Sequence, residues 1–316
     1  MKTMQRVATQ TMKAVRIHGF GGPEVLEYED TPRPEPEKDE VLIKVHASGV
    51  NPIDWKIMEG MFKTRTLPLT PGWDFSGVVE AAGPDAAFKK GDEVFGRPDT
   101  GRDGSYAEYL VARSSEIARK PVSIDHVHAA GLALAGLTAW QALFDIARLQ
   151  AGQRILVHGA AGGVGGFAVQ LAQWKGAHVT GTASRKNSDF VRTLGVDEFV
   201  DYNSDPFESV VSGMDVVLDT IGGETQTRSL KTLKPGGILV STVGLPSPGN
   251  AETPGIRRAM VMVKPDSSQL SGLAGLVDTG ALVVPVENVF PLSEARKALE
   301  LSRTLHARGK IILRVI

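Results

Sequence analysis

A glycine-rich stretch, GAAGGVGG at 159–166, has the residue types and the position of a phosphate-binding turn. It follows an apolar run at 155–157 and precedes an apolar segment with helical periodicity at 167–174. A second strand, predicted at 177–182, completes a βαβ unit. Glycines between a strand and a helix allow a tight turn and a close approach of backbone N–H groups to a pyrophosphate. The stretch therefore predicts a dinucleotide site.

The glycine spacing departs from the common G-x-G-x-x-G pattern. It reads G-x-x-G-x-x-G from Gly159, overlapped by A-x-x-G-x-x-G from Ala160, so which glycine meets which phosphate stays open. A purely structural turn is the alternative, but the βαβ setting favours cofactor binding. The backbone expected to line the phosphates belongs to Ala160, Gly162, Gly163, Val164 and Gly165.

The end of the second strand indicates which dinucleotide binds. An NAD site places Asp or Glu about 20 residues past the glycines, where the carboxylate accepts a hydrogen bond from the ribose 2′-hydroxyl. This chain has Ser184, Arg185 and Lys186 there, and no acid before Asp189. Two cations and a hydroxyl suit a 2′-phosphate, since arginine can hold a phosphate with two parallel N–H bonds. A solvated turn is the alternative, but the position favours NADPH.

The composition is that of an ordinary globular protein. The 316 residues suffice for two domains, and the net charge of −1 argues against a nucleic-acid partner. The sequence holds no cysteine, which excludes disulfides, a thiol nucleophile and thiolate zinc sites. No segment has the character of a signal peptide or a membrane span. We therefore expect a cytoplasmic protein with no membrane partner.

Two patterns of secondary structure divide the chain near Asp125. Before it, short alternating runs are separated by Gly and Pro turns, which predicts a β-rich unit. After it, strands alternate with helices, the pattern of a doubly wound parallel sheet. These strands are predicted at 154–158, 178–182, 198–201, 215–219 and 238–242. The C-terminal helices and the last strand are predicted at 269–279, 293–304 and 310–315. The fold class is therefore α/β.

Several motifs, all in one order along the chain, carry a family resemblance. They are ASGVNPIDWK at 47–56, GSYAEYLVA at 104–112, GLTAWQAL at 136–143, HGAAGGVGG at 158–166, LKPGGILVSTVG at 233–244 and HARGKIILRV at 306–315. Together they resemble the zinc-independent quinone oxidoreductase branch of the medium-chain dehydrogenase/reductase superfamily, over essentially all of 12–316.

The resemblance implies how the chain is divided and assembled. After a flexible tail, which the N-terminal sequence itself predicts at 1–11, the resemblance implies the first part of a GroES-like, partly open barrel at 12–125, an inserted Rossmann domain at 126–265 and a return to the barrel domain at 266–316. It also implies a homodimer in which the strand at 238–243 pairs with its copy. The sequence itself shows only that this segment is apolar and could be an edge strand.

The resemblance also implies a site without metal. Zinc-using relatives place Cys at the position of Asn51, and Gly-His-Glu where this chain has Gly72-Trp73-Asp74. Without those ligands the expected chemistry is direct hydride transfer from a nicotinamide to an electron-poor carbon or a quinone. The protein then supplies orientation and electrostatics.

Asn51 and Lys56 are the candidate catalytic residues. Asn51 ends a predicted strand before Pro52, where the turn would expose its amide, and it resembles the family's cleft Asn. Its NH₂ could donate to a carbonyl oxygen on which negative charge grows. Lys56 could donate to cofactor or substrate. The alternatives are an Asn that stabilises the turn and a Lys at the surface, while Asp54 either orients Lys56 or caps a helix.

A hydrophobic substrate pocket is predicted beside them. Many relatives carry a Tyr shortly after this segment, a candidate proton donor, whereas this chain has Gly60-Met61-Phe62. Trp55, Met61 and Phe62 would then form an apolar wall, unless they belong to the core. The proton donor is left unidentified.

Further residues are expected to contact the cofactor. Thr138 matches a family Thr beside the nicotinamide, or else bonds its own helix, and Tyr202 matches a Tyr that reaches the 2′-phosphate. Val243 and Gly244 end a strand at the carboxyl edge of the sheet, where ligands of such folds bind. The last two candidates precede the final strand and either approach the cofactor or lie in a surface turn: Arg308 and Lys310.

The sequence thus predicts an NADPH-dependent reductase of hydrophobic quinones or α,β-unsaturated carbonyls. Two other interpretations stay open. One is a zinc-free alcohol dehydrogenase or carbonyl reductase, against which the missing Tyr hydroxyl counts. The other is a non-catalytic NADPH-binding protein that senses redox state.

Overall fold

A computed structural model of the chain describes residues 10–61, 65–204, 206–245 and 255–316. The predicted tail at 1–11 lies almost wholly outside these residues, and Phe62 of the predicted pocket also lies outside them. The described residues form a parallel sheet, a mainly antiparallel sheet and a two-stranded ribbon. None of their helices has the length and apolar character needed to cross a bilayer.

The elements are numbered in chain order. The strands are β1 (Thr11–Ile17), β2 (Leu26–Pro32), β3 (Glu40–Val50), β4 (Phe75–Ala82), β5 (Glu93–Gly96), β6 (Tyr109–Arg113), β7 (Ile117–Arg119), β8 (Arg154–His158), β9 (His178–Ala183), β10 (Glu198–Asp201), β11 (Met214–Asp219), β12 (Leu233–Ser241), β13 (Arg257–Met260), β14 (Val286–Pro291) and β15 (Lys310–Arg314). The helices are α1 (Pro52–Met58), α2 (His126–Ala129), α3 (Ala133–Trp140), α4 (Gly163–Trp174), α5 (Ser188–Thr193), α6 (Phe207–Val210), α7 (Gly223–Ser229), α8 (Ser267–Asp278) and α9 (Ala295–Arg303).

The antiparallel sheet is built around β3. Its described order is β14-β15-β3-β4-β5-β7, with β6 also paired to β3. Alternate β3 residues Val41, Ile43 and Val45 are fully buried in one cluster, on one face of the strand, and most of the other β3 residues are buried too. The C-terminal strand β15 pairs antiparallel with the end of β3, Ile311 opposite Val50. This pairing places Lys310 beside the turn that follows β3.

The parallel sheet has the doubly wound order β10-β9-β8-β11-β12-β13. The order reverses between β8 and β11, and in open α/β sheets ligands bind at the carboxyl ends of the strands beside such a reversal. The three apolar residues of the central strand β8, at 155–157, are fully buried, because helices cover both faces of a parallel sheet. The predicted α/β class, a doubly wound parallel sheet joined to a β-rich unit, is confirmed, and the exact domain boundaries stay predictions.

Helix α4 begins four residues earlier than the sequence pattern predicts, inside the glycine stretch. Gly162 is its N-cap, and Gly163, Gly165 and Gly166 form its first turn. A Cβ at Gly165 would lie 2.2 Å from the carbonyl oxygen of Gly159. The glycines here serve close packing of the helix against the loop, which is compatible with helical backbone.

The prediction that 238–243 is an edge strand is wrong. Strand β12 pairs with β11 on one side and with β13 on the other, where Ile238 lies opposite Arg257. In the described residues, the edge strand on this side of the parallel sheet is therefore β13. Its sequence, RRAM, is short and charged, so no apolar pattern marks it as a strand. The homodimer stays a prediction, without β12 as its free edge.

Candidate functional site

The glycine-rich loop forms a close-packed cradle between β8 and α4. Gly159 has a φ of +67°, a conformation that glycine adopts without strain, and a Cβ there would lie 2.5 Å from Thr220 Oγ1. The first N–H groups of the twelve-residue helix α4 have no partners within the helix. An open backbone surface at a helix N-terminus suits a pyrophosphate. The residues present therefore fit the predicted dinucleotide.

The loop also contacts the antiparallel sheet through the backbone. Gly309 N donates to Ala161 O over 2.8 Å, and Gly162 and Gly309 form a parallel bridge. We call this contact the Gly162–Gly309 bridge. It joins the glycine-rich loop to the residue just before β15.

The residues predicted to bind a 2′-phosphate lie together at the ends of β9 and β10. Ser184 and Lys186 follow β9, the side chain of Arg185 is 81% exposed, and Tyr202 lies alongside, since its N–H donates to Ala183 O over 3.4 Å. The sequence analysis missed Asp201, whose Oδ2 lies 3.4 Å from Arg185 Nε. Hydrogen bonds from the backbone N–H of Asn203 and from Ser204 Oγ lower its pKa. Asp201 approaches Arg185 because β10 lies beside β9 in the sheet, and the linear sequence does not show that pairing.

A buried charged cluster lies where the two sheets meet. Lys310 Nζ donates to Asn51 Oδ1 and lies 3.2 Å from Asp74 Oδ2. Lys310 and Asn51 are each 3% exposed, and Asp74 is fully buried. The methylene stem of Lys310 runs beside the glycine-rich loop, since a Cβ added at Gly163 would lie 3.0 Å from Lys310 Cδ. The surface-turn alternative for Lys310 is therefore wrong.

Burial affects the acid of this cluster. It raises the pKa of Asp74, an effect that the ammonium of Lys310 opposes together with donors from Asn51 and from the Leu134 N–H. A lone buried carboxylate would be costly, whereas one with an ammonium and two N–H donors is satisfied. The cluster thus keeps the ammonium of Lys310 fixed beside the glycine-rich loop.

Asn51 is held in one orientation and is not exposed as predicted. Because an ammonium only donates, Oδ1 must face Lys310. Nδ2 then lies 3.3 Å from Asp74 Oδ2 and 3.4 Å from Gly49 O, both long for hydrogen bonds. The turn before Pro52 buries the amide because β15 packs alongside β3, a contact between residues 259 positions apart. Asn51 is thus also the N-cap of α1.

A second buried pair supports the same turn. Asp54 Oδ2 accepts hydrogen bonds of 2.8 Å from Tyr106 Oη and from the Asn51 N–H. The expectation that Asp54 caps the helix is confirmed, since α1 begins at Pro52 and the Asn51 N–H is bound. Oδ1 is buried and has no hydrogen-bond partner within the described segments. Burial raises the pKa of Asp54 to about 7, although the Asn51 and Tyr106 donors oppose that rise.

Replacing Asp54 with Asn is expected to flatten the pH dependence of stability. The folded-state pKa of about 7 lies above the ordinary 3.8, so the folded protein binds the extra proton between these values and loses stability as pH rises through them. At about 1.4 kcal/mol per pKa unit, roughly 4 kcal/mol is at stake. Thermal unfolding of both proteins at pH 4 to 8 measures it.

The difference between the two proteins isolates the carboxyl group. His158, whose pKa burial lowers to about 4, acts with the opposite sign: stability rises as pH increases from about 4 to its ordinary 6.5. It contributes equally to both proteins. Equal pH slopes in wild type and variant would contradict the assignment.

The other predicted residues have mixed placements. The Thr138 hydroxyl donates to Leu134 O over 2.7 Å, as in the helix-bonding alternative. Val243 N donates to Ser241 Oγ, and Gly244 O accepts from Gln226. Arg308 forms a 2.7 Å ion pair with Glu287, and its guanidinium lies over the Phe190 ring. Lys56 Nζ lies over the half-buried Trp55 ring, and Met61 is exposed.

Comparison with known proteins decides the family. Quinone oxidoreductase of Mus musculus is 35% identical, and the match covers 95% of this chain and 96% of that protein. The chain belongs to the quinone oxidoreductase branch of the medium-chain dehydrogenase/reductase superfamily. NADPH-dependent alkenal/one oxidoreductase, chloroplastic, of Arabidopsis thaliana is 36% identical over 96% of this chain and 79% of that protein. These medium-chain relatives make the chain an oxidoreductase.

The folds agree as well. The solved quinone oxidoreductase from Coxiella burnetii is 36% identical and has a TM-score of 0.90 over 97% of this chain and 100% of that chain. Family models described as alcohol dehydrogenase GroES-like domain and zinc-binding dehydrogenase match residues 37–122 and 194–313. The GroES-like match covers most of the strands of the antiparallel sheet.

The zinc named by one family model does not fit the cleft residues of this medium-chain member. At the predicted position of the metal, Asn51 and Asp74 already bond the ammonium of Lys310, and Trp73 offers no ligand atom. Zinc sites use sulfur, imidazole or carboxylate ligands, three or four together. Among the described residues, ligand atoms gather closely only at His18, Glu27 and Glu29, on the β1–β2 ribbon.

Proposed function

We propose that the protein reduces quinones and α,β-unsaturated carbonyls with NADPH and without a metal. The buried Lys310–Asp74–Asn51 cluster beside the glycine-rich loop carries the proposal. It is a fixed cation with an oriented amide, next to the backbone expected to hold the dinucleotide. The relatives named quinone oxidoreductase and NADPH-dependent alkenal/one oxidoreductase support this substrate class.

The chain would bind the cofactor along the carboxyl edge of the parallel sheet. The backbone of 160–165 would hold the pyrophosphate, and Arg185, Lys186 and Tyr202 the 2′-phosphate. NADPH supplies a hydride when bound. Every other part of the catalysis falls to the chain's own residues, which bind, orient and exclude water.

The cluster would stabilise charge on the substrate. In conjugate reduction, negative charge grows on the carbonyl oxygen, and fixed donors aimed at that oxygen lower the barrier. Two acceptors for the three N–H groups of Lys310 lie among the described residues, so one N–H is available. The long Asn51 Nδ2 contacts of 3.3 and 3.4 Å can be exchanged for a bond to substrate. Because the cluster is buried, its charge is weakly screened.

The proposal predicts a distinct substrate profile. Oxidation of NADPH, followed by absorbance, is expected with enones and quinones and not with simple aldehydes, and more slowly with NADH. Turnover restricted to aldehydes would instead indicate a zinc-free carbonyl reductase. Measurable NADPH binding without oxidation across the panel would indicate a non-catalytic, redox-sensing protein.

Removal of metal is expected to leave this activity unchanged. The cation that would face the substrate oxygen is the ammonium of Lys310, which a chelator cannot extract. Dialysis against a strong chelator, followed by the same assay, measures the effect. A loss of activity that added zinc restores would contradict the metal-free part of the proposal.

A further inference from the structure

Arg97 is a buried cation without a side-chain partner among the described residues. It follows β5 and is 8% exposed. In the described part of the chain its guanidinium has no ion pair, and its Nε is buried without an acceptor. A desolvated guanidinium without acceptors is costly. A ligand that carries an acceptor would satisfy this guanidinium.

The nearby carboxyl groups are engaged elsewhere. Asp99, Glu116 and Asp74 oppose the lowering of the Arg97 pKa that burial causes, yet none bonds its guanidinium. Glu116 pairs with Arg102 and accepts from the Arg113 and Asp99 N–H groups. Asp99 accepts from the Gly101 N–H. Asp74 belongs to the Lys310 cluster.

The sheet register places Arg97 beside the Lys310 cluster. Phe75 pairs antiparallel with Gly96, so Arg97 lies opposite Asp74, and its own N–H continues the ladder to Glu116 O. Alternate residues of a strand share a face, so Arg97 shares the face of Phe95. Phe95 packs in the core cluster with residues of α2 and α3. Arg97 therefore faces those helices beside Asp74.

We propose that Arg97 binds a carboxylate of the substrate, so that the enzyme acts on conjugated carbonyls that carry an acid group. The inference rests on the proposed function and names the substrate class within it. A guanidinium matches a carboxylate with two parallel N–H bonds. A site built around an unpaired buried donor discriminates against an analogue that lacks the acceptor, because the donor is then left unsatisfied.

A matched pair of substrates tests the proposal. 4-Oxo-2-pentenoate carries an enone and a carboxylate, and its methyl ester carries the same enone without charge. The ratio of kcat/KM for acid over ester is expected to fall about 10–100-fold in Arg97→Met. The ratio should fall less in Arg97→Lys, which keeps the positive charge but loses the two parallel N–H donors. Arg119→Met, an exposed arginine of the same sheet paired with Asp92, is the control and should keep the wild-type ratio.

A binding measurement separates this proposal from the proposed function. The saturated product 4-oxopentanoate is expected to raise the Tm of the wild-type protein and not that of Arg97→Met. Since Arg97 is unpaired, Arg97→Met alone should raise the Tm. Absence of turnover of both substrates by the wild-type protein would overturn the proposed function. Thermal protection by 4-oxopentanoate would in that case still support carboxylate binding by Arg97.

Two outcomes would overturn the assignment of Arg97. One is an unchanged acid-to-ester ratio in Arg97→Met together with equal protection of both proteins. The other is an equal loss on acid and ester, which would indicate that Arg97 serves the carbonyl oxygen common to both.

Discussion

Replacing Lys310 with Met is expected to lower kcat for enone reduction by about 10²–10³-fold, the usual effect of removing one donor to a developing oxyanion. The ammonium is a fixed positive charge beside the glycine-rich loop, held by Asn51 Oδ1 and Asp74 Oδ2. The KM for NADPH should change little, because the pyrophosphate would be held by backbone. Steady-state kinetics with one enone at saturating NADPH measures both parameters.

The single variant also leaves Asp74 buried without its counter-ion, which by itself costs about 3–5 kcal/mol of stability. The double variant Asp74→Asn/Lys310→Met removes both charges and is expected to regain thermal stability without regaining kcat. Recovery of kcat in the double variant would show that Lys310 only stabilises the fold. Lys297→Met, an exposed cation on α9, should match wild type in both measurements.

Replacing Arg185 and Lys186 together with Ala is expected to raise the KM for NADPH by about 100-fold and to leave the KM for NADH nearly unchanged. Each charge-assisted bond to a phosphate is worth about 1.5–3 kcal/mol, and solvent exposure of Arg185 places the effect at the lower end of that range. Initial rates at varied cofactor concentration, with one enone held constant, measure the two constants.

The control for this pair is Lys231→Ala, an exposed lysine two residues before the amino end of β12. This substitution removes a charge from the amino edge of the parallel sheet, opposite the edge proposed to bind the cofactor. It should change neither the KM for NADPH nor the KM for NADH. Equal increases in KM for NADPH and NADH in the Arg185/Lys186 variant would contradict the 2′-phosphate assignment. The ion pair of Arg185 with Asp201 would then be its main role.

The fold was predictable because its signals are local. Strand β8, the glycines and helix α4 are contiguous, and the alternation within residues 40–47 predicts strand β3 without reference to any other segment. Strand β13 was missed because its pairing with β12 depends on neighbouring backbone, and its own residues are two arginines, an alanine and a methionine.

The site was predictable only in part, because its decisive contacts join distant segments. Lys310 and Asn51 are 259 positions apart, and Tyr106 and Asp54 are 52 apart. A lysine after Arg308 and Gly309 has the local pattern of a surface turn, and only the packing of β15 on β3 buries it. Arg97 likewise stands between a glycine and a proline, where exposure is the usual expectation.

The Gly162–Gly309 bridge has a mechanical consequence. The bridge is made by main-chain atoms. It therefore fixes the distance between the glycine-rich loop and Lys310 independently of most side chains around them. Any relative movement of the glycine-rich loop and β15 must break these main-chain contacts, so we expect the two segments to move as one unit that carries Lys310 with it.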